Sequence, residues 1–307
     1  MSRKSTGRRG TKTSSRKKGG QSSPSRFLKS VIAAALTSFG LATAWLHPQG
    51  LNWQSLEPFL VSLGWPTVVQ QDSAPVPAAI DGYVQTSFAQ CPQFFPGSRP
   101  VVPMAYAQRE LCFSAFAILH SGQTKTPVFV VQRLNRQQIQ SAKSVKRTDR
   151  FYAEGRLPQA ERAELNDYRG SGFSRGHMAP AGDMASEQSM AQSFSLANMV
   201  PQNQAHNAGP WNKIEADTRK YVARAAGNVY VFTGPVYARR AASIGSSQVA
   251  VPSHLFKLVY DASTRRSWVH WQANQASTRV SPPISYEEFV RRTGLHLLPD
   301  SSLKTLG

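Results

Sequence analysis

Acidic residues are scarce in this chain of 307 residues: 17 Asp and Glu stand against 36 Lys and Arg, and none precedes Glu57. The formal net charge of +19 points to a polyanionic partner, a nucleic acid or an anionic membrane face. Cysteine is rarer still. Only Cys91 and Cys112 are present, too few for a disulfide-dense scaffold or for an iron–sulfur cluster or zinc site held by four thiolates. No internal repeat appears, which removes solenoids and propellers. What the chain does have is apolar material: 40% hydrophobic and 10% aromatic residues suffice for a core.

The charge is concentrated at the start. Residues 1–30 hold ten basic residues, from Arg3 to Lys29, in a Ser/Gly-rich context that cannot build a core. Residues 1–26 are therefore expected to be a disordered leader. Phe27–Leu46 follows as a largely apolar stretch whose one charge is Lys29. A helix of that length would reach about 30 Å, enough to cross a bilayer, and the basic flank would leave its N-terminus in the cytoplasm. A transmembrane anchor is expected, with the remaining chain on the periplasmic or extracellular side. A signal peptide cleaved near Ala42-Thr43-Ala44, giving a secreted protein, and a mitochondrial transit peptide are the alternatives. Residues 47–80 carry five prolines and read as a linker. Residues 81–307 form the expected folded domain. In an oxidising compartment Cys91 and Cys112 would pair.

Within that domain, 113–120 and 127–134 read as strands, and 135–170 as loop and short helix. Residues 184–197 show no clear period. A helix is predicted over 210–226, with Gly209 as cap, Pro210 at its first position and Gly227 as its stop. A strand at 229–237, a hairpin pairing 255–260 with 267–272 and a helix at 286–293 complete the reading. Mixed elements without βα alternation indicate an α+β fold.

Chemistry concentrates in SRGHMAP (174–180), ANMVPQ (197–202) and NAGPWNKIEADTR (207–219). On residue types alone, His177 beside Arg175 in a Gly/Pro-bounded loop suits phosphoryl chemistry. Arg binds phosphate oxygens, neutral imidazole accepts a proton near pH 7, and a hard oxygen donor holds Mg²⁺. His206 and His254 have no partner in the sequence, and a zinc site using His177 and His206 lacks further ligands at recognisable spacing.

In order and spacing the three blocks resemble the DNA/RNA non-specific endonucleases of the ββα-metal (His-Me finger) class. The resemblance spans roughly residues 85–300. It implies an α+β fold with a central, mostly antiparallel sheet flanked by helices, and metal-dependent, sequence-non-specific hydrolysis of phosphodiester bonds in DNA or RNA. It further implies His177 as general base, Asn207 as the one direct protein ligand to Mg²⁺ or Mn²⁺, and Glu215 as the group orienting water around that ion. Arg219 would contact phosphate, Arg147 would stabilise the phosphorane charge, and Arg175 would help neutralise the site. Ser174 departs from the pattern, which has Asp there, so a charge expected to tune His177 is missing. A catalytically inactive, membrane-tethered nucleic-acid-binding protein is the alternative that this departure keeps open.

Overall fold

The computed structural model describes residues 82–299, so the expected leader, anchor and linker lie outside the described residues. No helix among the described residues is long and apolar enough to cross a membrane.

Two short strands, β1 (Tyr83–Gln85) and β2 (Val101–Pro103), pair with each other and precede β3 (Gln108–Cys112), β4 (Ala117–Ser121) and β5 (Thr126–Leu134). Helix α1 (Arg136–Ala142) follows, capped by Asn135, whose side chain accepts from the Gln138 amide. Next come β6 (Phe173–His177), α2 (Glu187–Ser193) and β7 (Met199–Asn203). A helical stretch then starts at Gln204–His206, passes through a π-helical turn at Asn207–Trp211 and continues as α3 (Asn212–Val222). The chain ends in β8 (Val229–Val236), the two-residue pair β9 (Ser243–Ile244) and β10 (Val249–Ala250), β11 (His254–Asp261), β12 (Arg266–Ala273) and α4 (Tyr286–Thr293).

Six strands form one sheet in the order β12-β11-β8-β5-β4-β3, every neighbour antiparallel. Strand alternation sends successive side chains to opposite faces. Phe129, Val131, Phe232, Phe256 and Leu258 lie on one face and share a core with Phe88, Phe94 and Phe95 from the N-terminal segment and Phe289 of α4. Ile118, Val130 and Leu255 share the second core with Met178, Ala179, Val200, Trp211 and Ile214. The second core therefore carries the β6–β7 hairpin and α3. Cys91 and Cys112 are bonded, tying the N-terminal segment to the end of β3 across 21 positions.

The α+β class and the antiparallel sheet agree with expectation, as do the 229–237 strand, the β11–β12 hairpin and α4. Three local readings need correction. The strand read at 113–120 is β4, beginning only at Ala117, because Phe113–Phe116 forms the turn from the unanticipated β3. The region read as aperiodic contains α2, which opens on a Ser186–Ser189 capping box. The helix read as starting at Pro210 starts six residues earlier, where the Asn203 side chain accepts from the His206 amide. Pro210 is instead inside the π-helical turn. It has no N–H to give, and a widened turn tolerates that loss better than a regular one. Gly227 is not the stop, since α3 ends at Val222.

Candidate active site

The motif around His177 is a strand, not the loop its Gly and Pro content suggests. β6 pairs antiparallel with β7, setting His177 opposite Met199, Gly176 opposite Val200 and Ser174 opposite Gln202. Gly176 allows the close approach of β7, since a Cβ on it would lie 2.7 Å from the Gln202 Cβ. Asn198 secures the chain beyond the strand. Its Oδ1 accepts from the Ala179 amide at 2.9 Å, and its Nδ2 donates to the carbonyls of Ala179 and Ser193.

Alternation puts Phe173, Arg175 and His177 on one face of the hairpin and Ser174 and Gly176 on the other. The His177 ring rests against Phe194, centroids 5.1 Å apart, and Phe151, 5.9 Å away. Each phenyl carries a guanidinium: Arg147 lies 5.1 Å from the Phe194 centroid and Arg175 lies 4.8 Å from that of Phe151. Tyr168 closes the far side of Arg175 at 5.7 Å. The loop supplying Arg147 and Phe151 is fastened by the Tyr152 amide donating to Phe194 O and the Leu196 amide donating to Tyr152 O. Ser195 adds a hydrogen bond to the buried Glu154 carboxylate at 2.9 Å.

His177 Nε2 is buried and has no hydrogen-bond partner among the described residues. Burial, and then the positive charge of Arg147, push its pKa down to about 3. The ring is a neutral imidazole in the free protein. Arg147 is paired with Asp149 at 2.7 Å in an exposed position, whereas Arg175 makes no ion pair with a described residue.

A second group of charges lies on α3. Glu215 is half-buried and Arg219 donates to Asp183 at 3.1 Å. The i, i+4 ion pair that Glu215 and Arg219 could have made is absent, and Arg219 is engaged by Asp183 rather than free for phosphate. Desolvation pushes the Glu215 pKa up to about 7 against the opposing influence of Lys257. Desolvation also raises Asp183.

Asn207 is half-buried in the π-helical turn, and its side chain makes no hydrogen bond with a described residue. That turn sets its direction. In a regular helix, Asn207 and Glu215 would differ by about 80° around the axis; one residue absorbed by a π-turn brings them to within about 20° of one line. An available amide oxygen and a carboxylate on one helix face suit a hard cation that keeps most of its water. Among the described residues no three His, Cys, Asp or Glu side chains gather as a metal-binding group, so a zinc-type donor set is not assembled. His206 points elsewhere, its Nδ1 3.1 Å from Gln202 Nε2. His254 is likewise engaged, beside Ser253 and the Trp271 ring.

The sites thus fall into two groups, His177 with Arg147 and Arg175, and Glu215 with Arg219, joined by the hairpin and helix that bear them. No hydrogen bond or ion pair among the described residues links His177 to Asn207 or Glu215. Residues 97–299 match the family model described as DNA/RNA non-specific endonuclease. The chain belongs to the DNA/RNA non-specific endonuclease family. A mitochondrial nuclease EXOG of Xenopus laevis is 37% identical over 158 residues, 47% of this chain and 42% of that protein. Human mitochondrial endonuclease G is 32% identical over 156 residues, 47% of this chain and 52% of that protein. The matches thus span about half the length of these relatives. The crystal structure of the EndoG/EndoGI complex superposes with a TM-score of 0.57 at 27% identity, covering 64% of this chain and 86% of that one.

Several residues of these two groups have no signal in the sequence. Phe151 and Phe194 have no polar signature, and Asp183, although adjacent to the motif, reveals its role only through its Arg219 contact. Ser174 also needs a revised account. It lies beside Gln202 on the face away from His177, so its exchange for Asp does not act on the imidazole directly.

Proposed function

We propose that this chain is a sequence-non-specific endonuclease that hydrolyses phosphodiester bonds of DNA or RNA with the help of a divalent cation, Mg²⁺ or Mn²⁺. The observation that carries the reading is the half-buried His177 imidazole, without a hydrogen-bond partner among the described residues and set between two aromatic-backed guanidiniums. Family membership, and relatives whose names are those of nucleases, support it.

The His177 imidazole takes the proton of the attacking water through Nδ1, the ring nitrogen that is not buried. In the free protein the imidazole is a weak base, because burial and then the Arg147 charge oppose protonation. An arriving phosphodiester offsets that charge, so basicity rises when substrate is present. Arg147 and Arg175 neutralise charge developing on the equatorial oxygens, where an anion would otherwise repel the nucleophile. Asn207 Oδ1 would hold the cation, which when bound supplies Lewis-acid charge neutralisation at phosphate. Glu215 orients water on the leaving-group side, and Arg219 contacts phosphate once released from Asp183.

Recognition through phosphate makes DNA and RNA both eligible and binding strongly salt-dependent. Residues 81–307 would be the nuclease domain, tethered to a membrane by residues 27–46 through the 47–80 linker and facing the periplasm or outside. The Cys91–Cys112 bond favours an oxidising location; the mitochondrial names of the relatives favour a mitochondrial one. Incubating supercoiled plasmid with the purified full-length chain and Mg²⁺ or Mn²⁺ tests the activity. Nicked and then linear DNA is expected; an intact supercoiled band across metals and pH would contradict it.

A further inference from the structure

One end of the six-stranded sheet gathers arginines that the mechanism above does not use. The register sets Leu134 of β5, Val229 of β8, Asp261 of β11 and Arg266 of β12 in one row. Three strand spacings carry that row across about 15 Å. Arg136 opens α1 just beyond Leu134, Arg224 follows the end of α3, and Arg265 closes the β11–β12 turn beside Arg266. These pieces touch: Arg136 Nη2 donates to Arg224 O at 3.5 Å, and the Ala262 amide donates to Asn228 O at 3.2 Å. All four arginines are exposed, and none makes an ion pair with a described residue.

Their charge has no compensation nearby. Asp261, the acid in the row, is buried and already accepts from Tyr221 Oη at 2.6 Å and from the Ser263 and Thr264 amides. Asp217, farther up α3, is held by Lys213 and Lys220. Four guanidiniums without an anion repel one another, and a polyanion relieves that repulsion. Aromatic surface lies among them. The half-buried rings of Tyr221 and Trp268 meet edge to face, centroids 4.8 Å apart, and alternation puts Trp268 on the same side of β12 as Arg266. The planar fork of arginine matches phosphate oxygens, and an interleaved indole gives a base or sugar an apolar seat.

The helix ties this surface to the candidate site. Asn207 stands at the site end and Arg224 just past the other, about 25 Å away along the axis. A duplex rising 3.4 Å per base pair covers that distance in about seven base pairs. We infer that Arg136, Arg224, Arg265 and Arg266 form an accessory phosphate-binding surface, which grips nucleic acid about seven base pairs from the bond cleaved at His177. The inference rests on the nuclease reading above and adds a contact that supplies affinity rather than chemistry.

The test uses the full-length chain carrying Arg224→Gln/Arg265→Gln/Arg266→Gln; Arg136 is kept because it also supports the Arg224 carbonyl. Arg239→Gln/Arg240→Gln/Arg279→Gln removes equal charge from exposed positions outside the row and is the control. Affinity for a duplex of about 25 base pairs, several times the inferred spacing, is read by fluorescence anisotropy in EDTA, so no turnover is needed. At about 0.1 M salt the first variant should raise Kd about tenfold or more and make the slope of log Kd against log salt shallower by about two to three, with the control within about threefold of the parent. Arg224→Lys/Arg265→Lys/Arg266→Lys, which keeps the charge, should also stay within about threefold. Bis-p-nitrophenyl phosphate, too small to reach the row, should be hydrolysed by every variant at the parent rate. Unchanged duplex affinity, or equal weakening in variant and control, would overturn the inference. So would loss of binding to phosphatidylglycerol vesicles with duplex affinity intact, which would assign the surface to lipid. Should the parent chain bind duplex yet cut neither substrate, the nuclease reading falls while the anisotropy result still decides whether the row holds phosphate.

Discussion

In the mechanism proposed above His177 and Glu215 divide the acid–base work, and their departures from ordinary pKa values run in opposite directions. The imidazole, lowered to about 3, is neutral throughout the working range and contributes no acid limb near 6.5. Glu215, raised to about 7, changes charge there. If the ionised carboxylate is the working form, kcat/KM should fall about tenfold per pH unit below about 7. A profile flat down to pH 5 would contradict this assignment. His177→Ala should lower turnover by about 10²–10⁴-fold while leaving DNA retardation on a gel intact, since the groups that meet phosphate remain. At this scale residue type alone singles out His177 and Arg175 in the sequence, whereas Asn207 is marked only by the motif resemblance. The sequence is silent on partners brought together by folding. The Arg219–Asp183 pair joins positions 36 apart, and Lys257 looks like an ordinary strand lysine until α3 is laid over it.

The helix that follows β7 is where element-level reasoning was most misled, and its irregularity is the informative part. Gly209 and Pro210 are conventional start signals, yet Asn203 caps the helix and Pro210 sits in a π-helical turn. Replacing Pro210 by Ala would permit a regular helix and swing Asn207 away from Glu215. The expected result is a chain at least as stable in urea, with the Mg²⁺ concentration for half-maximal cleavage raised about tenfold. Unchanged metal dependence would show that the turn does not aim Asn207. β6 carries loop markers for a related reason: Gly176 and Pro180 favour turns, yet Gly176 here allows the close approach of Gln202. By contrast, the β11–β12 hairpin and α4 were legible because their patterns are undisturbed by site requirements. Such disagreement between local signal and fold is expected where function constrains the chain.

Across the whole molecule, buried imidazoles link stability to pH. His120, His206 and His270 are each lowered to about 4, chiefly by desolvation, and His177 is lower still. The unfolded chain takes up protons at these positions below about 6.5, whereas the folded chain resists until about 4. Stability from these groups is therefore complete above 6.5 and lost as pH falls toward 4, by about 3 kcal/mol for the fully buried His120. Urea titrations followed by tryptophan fluorescence should show the midpoint dropping across that window; a midpoint constant from pH 7 to 4 would contradict it. Reduction of the Cys91–Cys112 bond should cost a further 2–4 kcal/mol, approximately, by freeing the N-terminal segment from β3, with cleavage retained where the chain stays folded.

The central claim assigns different roles to an imidazole and an amide, one moving a proton and the other holding a cation. Chemical rescue separates them most directly. Cleavage of plasmid by His177→Ala, measured with increasing free imidazole at saturating Mg²⁺, should recover in proportion to the imidazole base, whereas Asn207→Ala should not respond to imidazole and should recover only with excess Mg²⁺ or Mn²⁺. Equal insensitivity of both variants to imidazole, with His177→Ala restored by added metal instead, would contradict the account.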